Sequence, residues 1–278
     1  MTIITLTTDL GERDYYAGAI KGALLCVNPA LNIVDISHQI QPYDIVEASF
    51  VLGNVYENFP KGTIHIVNVD NFYNNKKQFV VFEKDGHYFI GADNGLFSLI
   101  FNQMPNNQYA IACKSEGTFP LGEIFAKAVG HILSEKTFSE IGKKIEEPTQ
   151  RITLQAVTSQ SQIRGSVIHV DNYGNVILNI KKDLFEHIQK GRDFSLFFKR
   201  HDPIQSMSTQ YNNVVIGDTL CLFNAAEYLE IAINMGRAAD MLGLNVDDTV
   251  QIDFHETVDG RRFFCEKKNY QKYVEKSS

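Results

Sequence analysis

Two carboxylates flank a glycine early in the chain, in the segment Thr7-Thr8-Asp9-Leu10-Gly11-Glu12-Arg13-Asp14. Asp9 and Asp14 placed in this way can accept hydrogen bonds from a vicinal diol such as the two hydroxyls of a ribose, while Gly11 lets a ligand come close to the backbone. The competing reading of Asp14 is a cap for a following helix. Much later, Asp171-Asn172-Tyr173-Gly174-Asn175 offers an anion, an aromatic face and an amide. These suit an amino group, a purine ring and a base edge, although a plain turn between strands would use the same residues. Asp70 closes an apolar run, and Asp93-Asn94-Gly95 carries a strong turn signal.

Several other chemistries lack their residues. GxGxxG and GxxxxGK[ST] are absent, so a phosphorylated dinucleotide or nucleotide has no backbone cradle. There is no HExxH, the eight histidines are scattered, and no GxSxG elbow occurs. No metal and no separate cofactor are expected.

The elements that must position these groups follow from periodicity. Residues 3–7 are β-rich, 15–26 have helical spacing, 33–36 are again β-rich, 44–58 read as an amphipathic helix and 63–69 as a third strand. This alternation predicts a mainly parallel sheet flanked by helices, with Asp9, Ser37 with His38, and Asp70 at strand ends, where open α/β sheets bind ligands. Residues 78–83 and 87–90 read as a hairpin around Lys84-Asp85-Gly86, and 122–133 as a helix. The charged stretch 143–150 contains Pro148, which places an expected boundary between a domain of residues 1–150 and one of residues 151–278. The second half reads as a smaller antiparallel β domain, with strands over 162–170, 176–180, 195–199, 219–223 and 249–254 and one clear helix over 229–242.

A chain of 278 residues with 44% hydrophobic and 21% charged residues is in the globular range. No apolar run approaches the roughly 18 residues of a membrane span. Residues 2–8 lack the basic flank of a signal peptide, so the expected location is cytoplasmic, with Cys26, Cys113, Cys221 and Cys265 reduced. A net charge of −7 repels phosphate backbones, and the mixed-charge stretch 261–276 reads as a solvated end, so neither nucleic acid nor membrane is an expected partner.

Taken in order, the motifs resemble the S-adenosylmethionine hydroxide adenosyltransferase and fluorinase/chlorinase family. The matching stretches are Thr7-Thr8-Asp9-Leu10-Gly11 with Asp14, Val34-Asp35-Ile36-Ser37-His38 with Pro42-Tyr43-Asp44-Ile45, and 62–70. They continue with Asp93-Asn94-Gly95-Leu96, 171–175, Asn224 with Leu229-Glu230-Ile231-Ala232, and Leu242-Gly243-Leu244. The resemblance implies a homotrimer that binds S-adenosylmethionine at subunit interfaces, between the N-terminal domain of one protomer and the C-terminal domain of the next. By motif position, Asp9 and Asp14 would hold the ribose and Tyr43 would pack along the substrate. Asp171 would meet the methionine amino group and Asn175 would read adenine. Thr118, Phe119, Tyr173 and Asn224 complete the implied binding set.

The chemistry implied is attack of water on C5′, giving adenosine and methionine. Asp70 stands at the family's catalytic Asp, and Lys77 at the position of its Arg, where it keeps charge but loses the planar fork. Pro120 replaces the family's His and offers no base; general acid–base help is typically about 10² to 10⁴-fold, so a slow hydrolase is expected. Leu121 falls where halogenases need a small or hydroxyl side chain, which argues against halogenation, and Ala225 and Glu227 alter the methionine-facing segment. The alternative is a catalytically silent protein that binds S-adenosylmethionine or adenosine. A third is attack by a different, larger nucleophile at the same carbon.

Overall fold

The computed structural model describes residues 2–71, 78–101, 103–112 and 119–256, and the chain divides into two compact units, Met1–Leu154 and Gln155–Ser278. The first unit runs β1 (Ile3–Thr8), α1 (Tyr16–Val27), β2 (Asn32–Ser37), α2 (Ile45–Gly53), β3 (Ile64–Asn68), β4 (Phe79–Lys84), β5 (His87–Ala92), α3 (Leu96–Ile100), β6 (Tyr109–Ala110) and α4 (Leu121–Leu133). Its six strands lie in the order β2-β1-β3-β5-β4-β6. Strand β1 pairs in parallel with β2 and β3, β3 pairs in parallel with β5, and β4 is antiparallel to β5 and β6.

The chain leaves β1 to one side for β2, then returns past it for β3. Right-handed crossovers therefore put α1 and α2 on opposite faces of the sheet. Ile20 and Leu24 of α1 with Phe125 and Val129 of α4 bury Ile4, Leu6, Ile64 and Ile66. Ala48 and Leu52 of α2 with Leu96 and Phe97 of α3 bury Val67, Phe82 and Phe89 on the other face. Neighbours such as Ile66 and Val67 thus serve different cores, because successive strand residues point to opposite faces. Each large apolar side chain removed from water contributes about 1.5–3 kcal/mol.

Local chemistry sets the element ends. Asp44 caps α2, accepting from the Val46 and Glu47 amides at 2.9 Å each, an arrangement worth about 1 kcal/mol. Asp85 (φ 52°) and Gly86 (φ 78°) take the left-handed backbone that a tight two-residue hairpin between β4 and β5 requires. The helix expected over 44–58 ends at Gly53, and a single 3-10 turn, Tyr56–Asn58, follows.

The second unit runs β7 (Val157–Thr158), β8 (Gln162–Val170), β9 (Val176–Lys181), α5 (Lys182–Gln189), β10 (Asp193–Phe198), β11 (Thr219–Phe223), β12 (Tyr228–Ile233), α6 (Ala238–Leu242) and β13 (Thr249–His255). The strands form one antiparallel sheet in the order β10-β13-β8-β9-β12-β11, with β7 paired to β8.

The helix expected over 229–242 is corrected. Residues 228–233 are strand β12, paired on both sides, and only Ala238–Leu242 is helical. Leu229, Ile231, Ala232 and Ile233 are all buried. A strand buried on both faces reads as a continuous apolar run, which periodicity does not separate from a helix. The clearest helix of this unit is α5, where Phe185 is buried and Ile188 packs beside it against the core. Among the described residues no helix is long and apolar enough to cross a membrane.

Candidate functional site

In the first unit the strand order reverses between β1 and β3, and both strands end in a carboxylate. Asp9 follows β1 and accepts through one oxygen, Oδ2, from the Tyr43 amide at 3.0 Å and the Asp70 amide at 3.4 Å. Asp9, Tyr43 and Asp70 are therefore brought together at the sheet's carboxyl edge, the crevice in which open α/β folds bind ligands. Gly11 has φ 69° and donates its amide to the His38 carbonyl at 2.7 Å. A glycine is needed there because other residues rarely adopt that conformation.

His38 braces the same edge from beneath. Its ring is 3% exposed, with Nδ1 2.8 Å from the Thr8 hydroxyl and Nε2 3.1 Å from Asp35 Oδ1. The residue before Asp9 is thus tied to the end of β2.

Asp70 has φ 46° and Tyr43 φ 70°, left-handed backbone on two residues that carry a side chain. Such conformations persist where the surroundings impose them. At Asp70 the brace is Asn94, 2% exposed, which donates its amide to the Val69 carbonyl at 2.9 Å and the Asp70 carbonyl at 3.0 Å. Asn94 Oδ1 accepts in turn from the Leu96 amide at 3.1 Å, so the Asp93-Asn94-Gly95 turn both starts α3 and holds the end of β3. Burial pushes the Asp70 carboxyl above the usual carboxylate range; Asp9 adds to the rise and Arg151 opposes it.

Asp14 is exposed and does not cap α1, whose N-cap is Tyr15 without a side-chain bond. Its charge acts on Tyr16, behind the larger influence of Tyr15. The Tyr16 ring lies 4.9 Å from that of Phe119, so Asp14 and Phe119 meet around one aromatic cluster at the starts of α1 and α4. No direct bond joins Asp14 to Asp9 among the described residues. Pro120 is the N-cap of α4, and Leu121 is 2% exposed, packed in the core with Ile20 and Leu24. Lys77 and Thr118 lie outside the described residues, as do Cys113, Cys265 and the stretch 261–276.

In the second unit, Asp171 closes its own turn between β8 and β9. Its Oδ1 accepts from the Asn175 amide at 2.8 Å and its Oδ2 from Asn175 Nδ2 at 3.0 Å. Gly174 takes φ 81° against Arg237, where any Cβ would press on the arginine stem. Tyr173 projects from this turn with 75% exposure.

Asn224 organises a second turn. Its Oδ1 accepts from the Ala226 amide at 3.0 Å and the Tyr228 amide at 3.1 Å, and its Nδ2 donates to Glu230 Oε2 at 3.2 Å. Glu230 is 2% exposed and also accepts from the Tyr211 hydroxyl at 2.9 Å. Burial raises its carboxyl; the bonds from Tyr211 and Asn224 oppose the rise and Asp171 adds to it. Asn224, Glu230 and Tyr211 thus form one hydrogen-bonded cluster, and Asp171 with Asn175 forms another.

Glu230 falls within a matching stretch but receives no role there, and Tyr211 and Arg151 lie outside the motifs. A lone acid inside Leu229-Glu230-Ile231-Ala232 was the signal available for Glu230. Arg151 and Tyr211 sit in segments without pattern. Among the described residues, no three His, Cys, Asp or Glu side chains converge as metal ligands.

Known proteins resemble this chain in sequence and fold. The structure superposes on an uncharacterized conserved protein from Thermotoga maritima with a TM-score of 0.80 and 25% identity, covering 91% of this chain and all of the other. A curated relative, (R)-S-adenosyl-L-methionine hydrolase from Methanocaldococcus jannaschii, is 29% identical over 91% of this chain and 96% of its own length. A fluorinase from an Actinoplanes species is 23% identical over 90% and 97%. Residues 4–142 match the model of the SAM hydroxide adenosyltransferase N-terminal domain and residues 165–251 that of the C-terminal domain. With both domain models matched in order across the fold, the chain belongs to the SAM hydroxide adenosyltransferase family.

Proposed function

We propose that this protein hydrolyses S-adenosylmethionine to adenosine and methionine. The observation that carries the reading is the pair Asp9 and Asp70 at the strand-order reversal, joined through the Asp70 amide. Asp9 spends Oδ2 on two backbone amides, which leaves Oδ1 to accept a sugar hydroxyl, with Asp14 as the second carboxylate for the diol.

Asp70 then meets the attacking water. The water oxygen forms the new bond to C5′, the C5′–S bond breaks with its electron pair going to sulfur, and the water proton passes to a base. A carboxylate with raised proton affinity is a better acceptor for that proton than an ordinary one. The sulfonium is already a good leaving group, so most of the catalysis lies in placing and desolvating the water. Tyr43, Phe119 and Tyr173 supply apolar faces for the substrate, and Asp171, Asn175 and Asn224 polar ones. A homotrimer with the ligand at subunit interfaces belongs to the same reading, supported by Tyr43 and Tyr173, which are 74% and 75% exposed.

A silent binding protein is the second reading, favoured by Pro120, which heads α4 with no side-chain base. Incubation of purified protein with S-adenosylmethionine, with adenosine followed by chromatography, separates the two. Hydrolysis predicts adenosine well above an Asp70→Ala control, by about 10²-fold or more. Tight calorimetric binding with intact ligand after long incubation identifies the silent protein.

A further inference from the structure

The arginine at the end of the first unit has no part in the motifs, yet its position ties it to Asp70. Its backbone is clasped to α3: the Arg151 amide donates to the Ser98 hydroxyl at 2.8 Å, and that hydroxyl donates to the Gly95 carbonyl at 2.6 Å. Its methylenes lie on Gly95, where a Cβ would collide with Arg151 Cγ. Gly95 has φ 94° and is the residue after Asn94, whose amide grips the Asp70 carbonyl. The Arg151 stem therefore rests on the same turn that holds Asp70.

Asp70 stands between charges of both signs. Among the described residues, the charged groups that act on it are Asp9, from the turn after β1, and Arg151, from the segment after α4. With Asp9 alone beside it, a second carboxylate would tend to hold a proton, as like charges in one site do. A protonated Asp70 neither attracts a water proton nor orients water as an acceptor.

We propose that Arg151 is a positioning residue of the active site, a cation that keeps Asp70 ionised beside Asp9 and aims it at the attacking water. This deepens the hydrolase reading and rests on it for the identity of the reaction. Arg151 acts through the carboxylate and touches no reacting atom. Its placement depends on Gly95 being a glycine, so the Asp93-Asn94-Gly95 turn serves both the backbone of Asp70 and its counter-charge.

The test is the titration of Asp70 itself, followed by NMR of protein labelled with carboxyl-¹³C aspartate and assigned with Asp70→Asn. In Arg151→Met the Asp70 midpoint is expected to rise by about one pH unit, and in Arg151→Lys to return most of the way, as expected for a neighbouring opposite charge. In parallel, the acid limb of kcat against pH moves upward by the same amount in Arg151→Met while KM changes less than about 2-fold. An unchanged midpoint in a folded Arg151→Met protein, or one restored equally by Arg151→Gln, overturns the proposal. If Arg151→Met does not fold, Arg151→Gln replaces it, with a raised midpoint expected. The titration needs no turnover, so a wild-type protein that fails to release adenosine defeats the hydrolase reading while leaving the electrostatic assignment to stand or fall by itself.

Discussion

Each unit holds carboxylates partly or wholly out of water, and the two handle them in opposite ways. In the second unit Glu230 is 2% exposed but receives the Tyr211 hydroxyl and the Asn224 amide, and Asp171 takes two bonds from Asn175. In the first, Asp70 sits on left-handed backbone beside Asp9, its main chain gripped by Asn94 and its charge opposed by Arg151. Donors aimed at a carboxylate fix its direction and make it part of the scaffold. A carboxylate placed by its backbone and faced by another acid keeps its reactivity, and the cost is borne by the surrounding turn. The contrast separates a region that holds its polar groups in fixed directions from one that carries the reacting carboxylate.

The largest effect expected from breaking the comparison is in the second unit. Glu230→Ala strands the Tyr211 hydroxyl and the Asn224 amide beside β12, and thermal denaturation should show a loss of about 2–3 kcal/mol. Glu230→Gln keeps a hydrogen-bonding partner for both and should cost far less. Because burial raises the Glu230 carboxyl, the folded state binds its proton more tightly than the unfolded chain does. Wild-type stability from this group is therefore greatest at low pH and falls as pH rises toward the folded midpoint. Glu230→Gln should accordingly gain on the wild type as pH rises through and above the ordinary glutamate range; a difference independent of pH would show that Glu230 does not titrate in this way.

A smaller loss, about 1–2 kcal/mol, is expected for Asn94→Ala, which frees the Val69 and Asp70 carbonyls and the Leu96 amide. This change should also lower kcat, since Asp70 loses its backbone brace. Equal denaturation midpoints for Asn94→Ala and wild type would remove the turn from the account.

The smallest effect has the opposite sign. Asp70→Asn keeps a side chain that tolerates left-handed backbone and removes the repulsion from Asp9. A gain of roughly 0.5 kcal/mol accompanied by lost turnover would fit a site that trades stability for function. A loss of stability would mean that the Asp70 charge is structural.

The mainly parallel sheet of the first unit, the β4–β5 hairpin and the strand-end carboxylates were legible because each leaves a local mark: alternating periods, a Lys84-Asp85-Gly86 turn, an acid ending an apolar run. The β12 strand was not, since burial on both faces erases the period of two that would reveal it. Lys77 and Thr118, assigned by motif position, lie outside the described residues, so the structure adds nothing to either.

The residues alone determined which groups were available: acids for a diol, glycines where the backbone turns left-handed, no phosphate cradle, and no base at Pro120. Only the tertiary structure decided which of them meet. Asp9 reaches Asp70 across 61 positions, Asn94 reaches Asp70 across 24, and Arg151 reaches Ser98 across 53. Contacts between distant positions arise from packing strands side by side and closing turns over them, and local spacing carries no record of that pairing. The partner that sets a carboxylate's charge is chosen in the same way, because electrostatic influence follows distance in space and not along the chain.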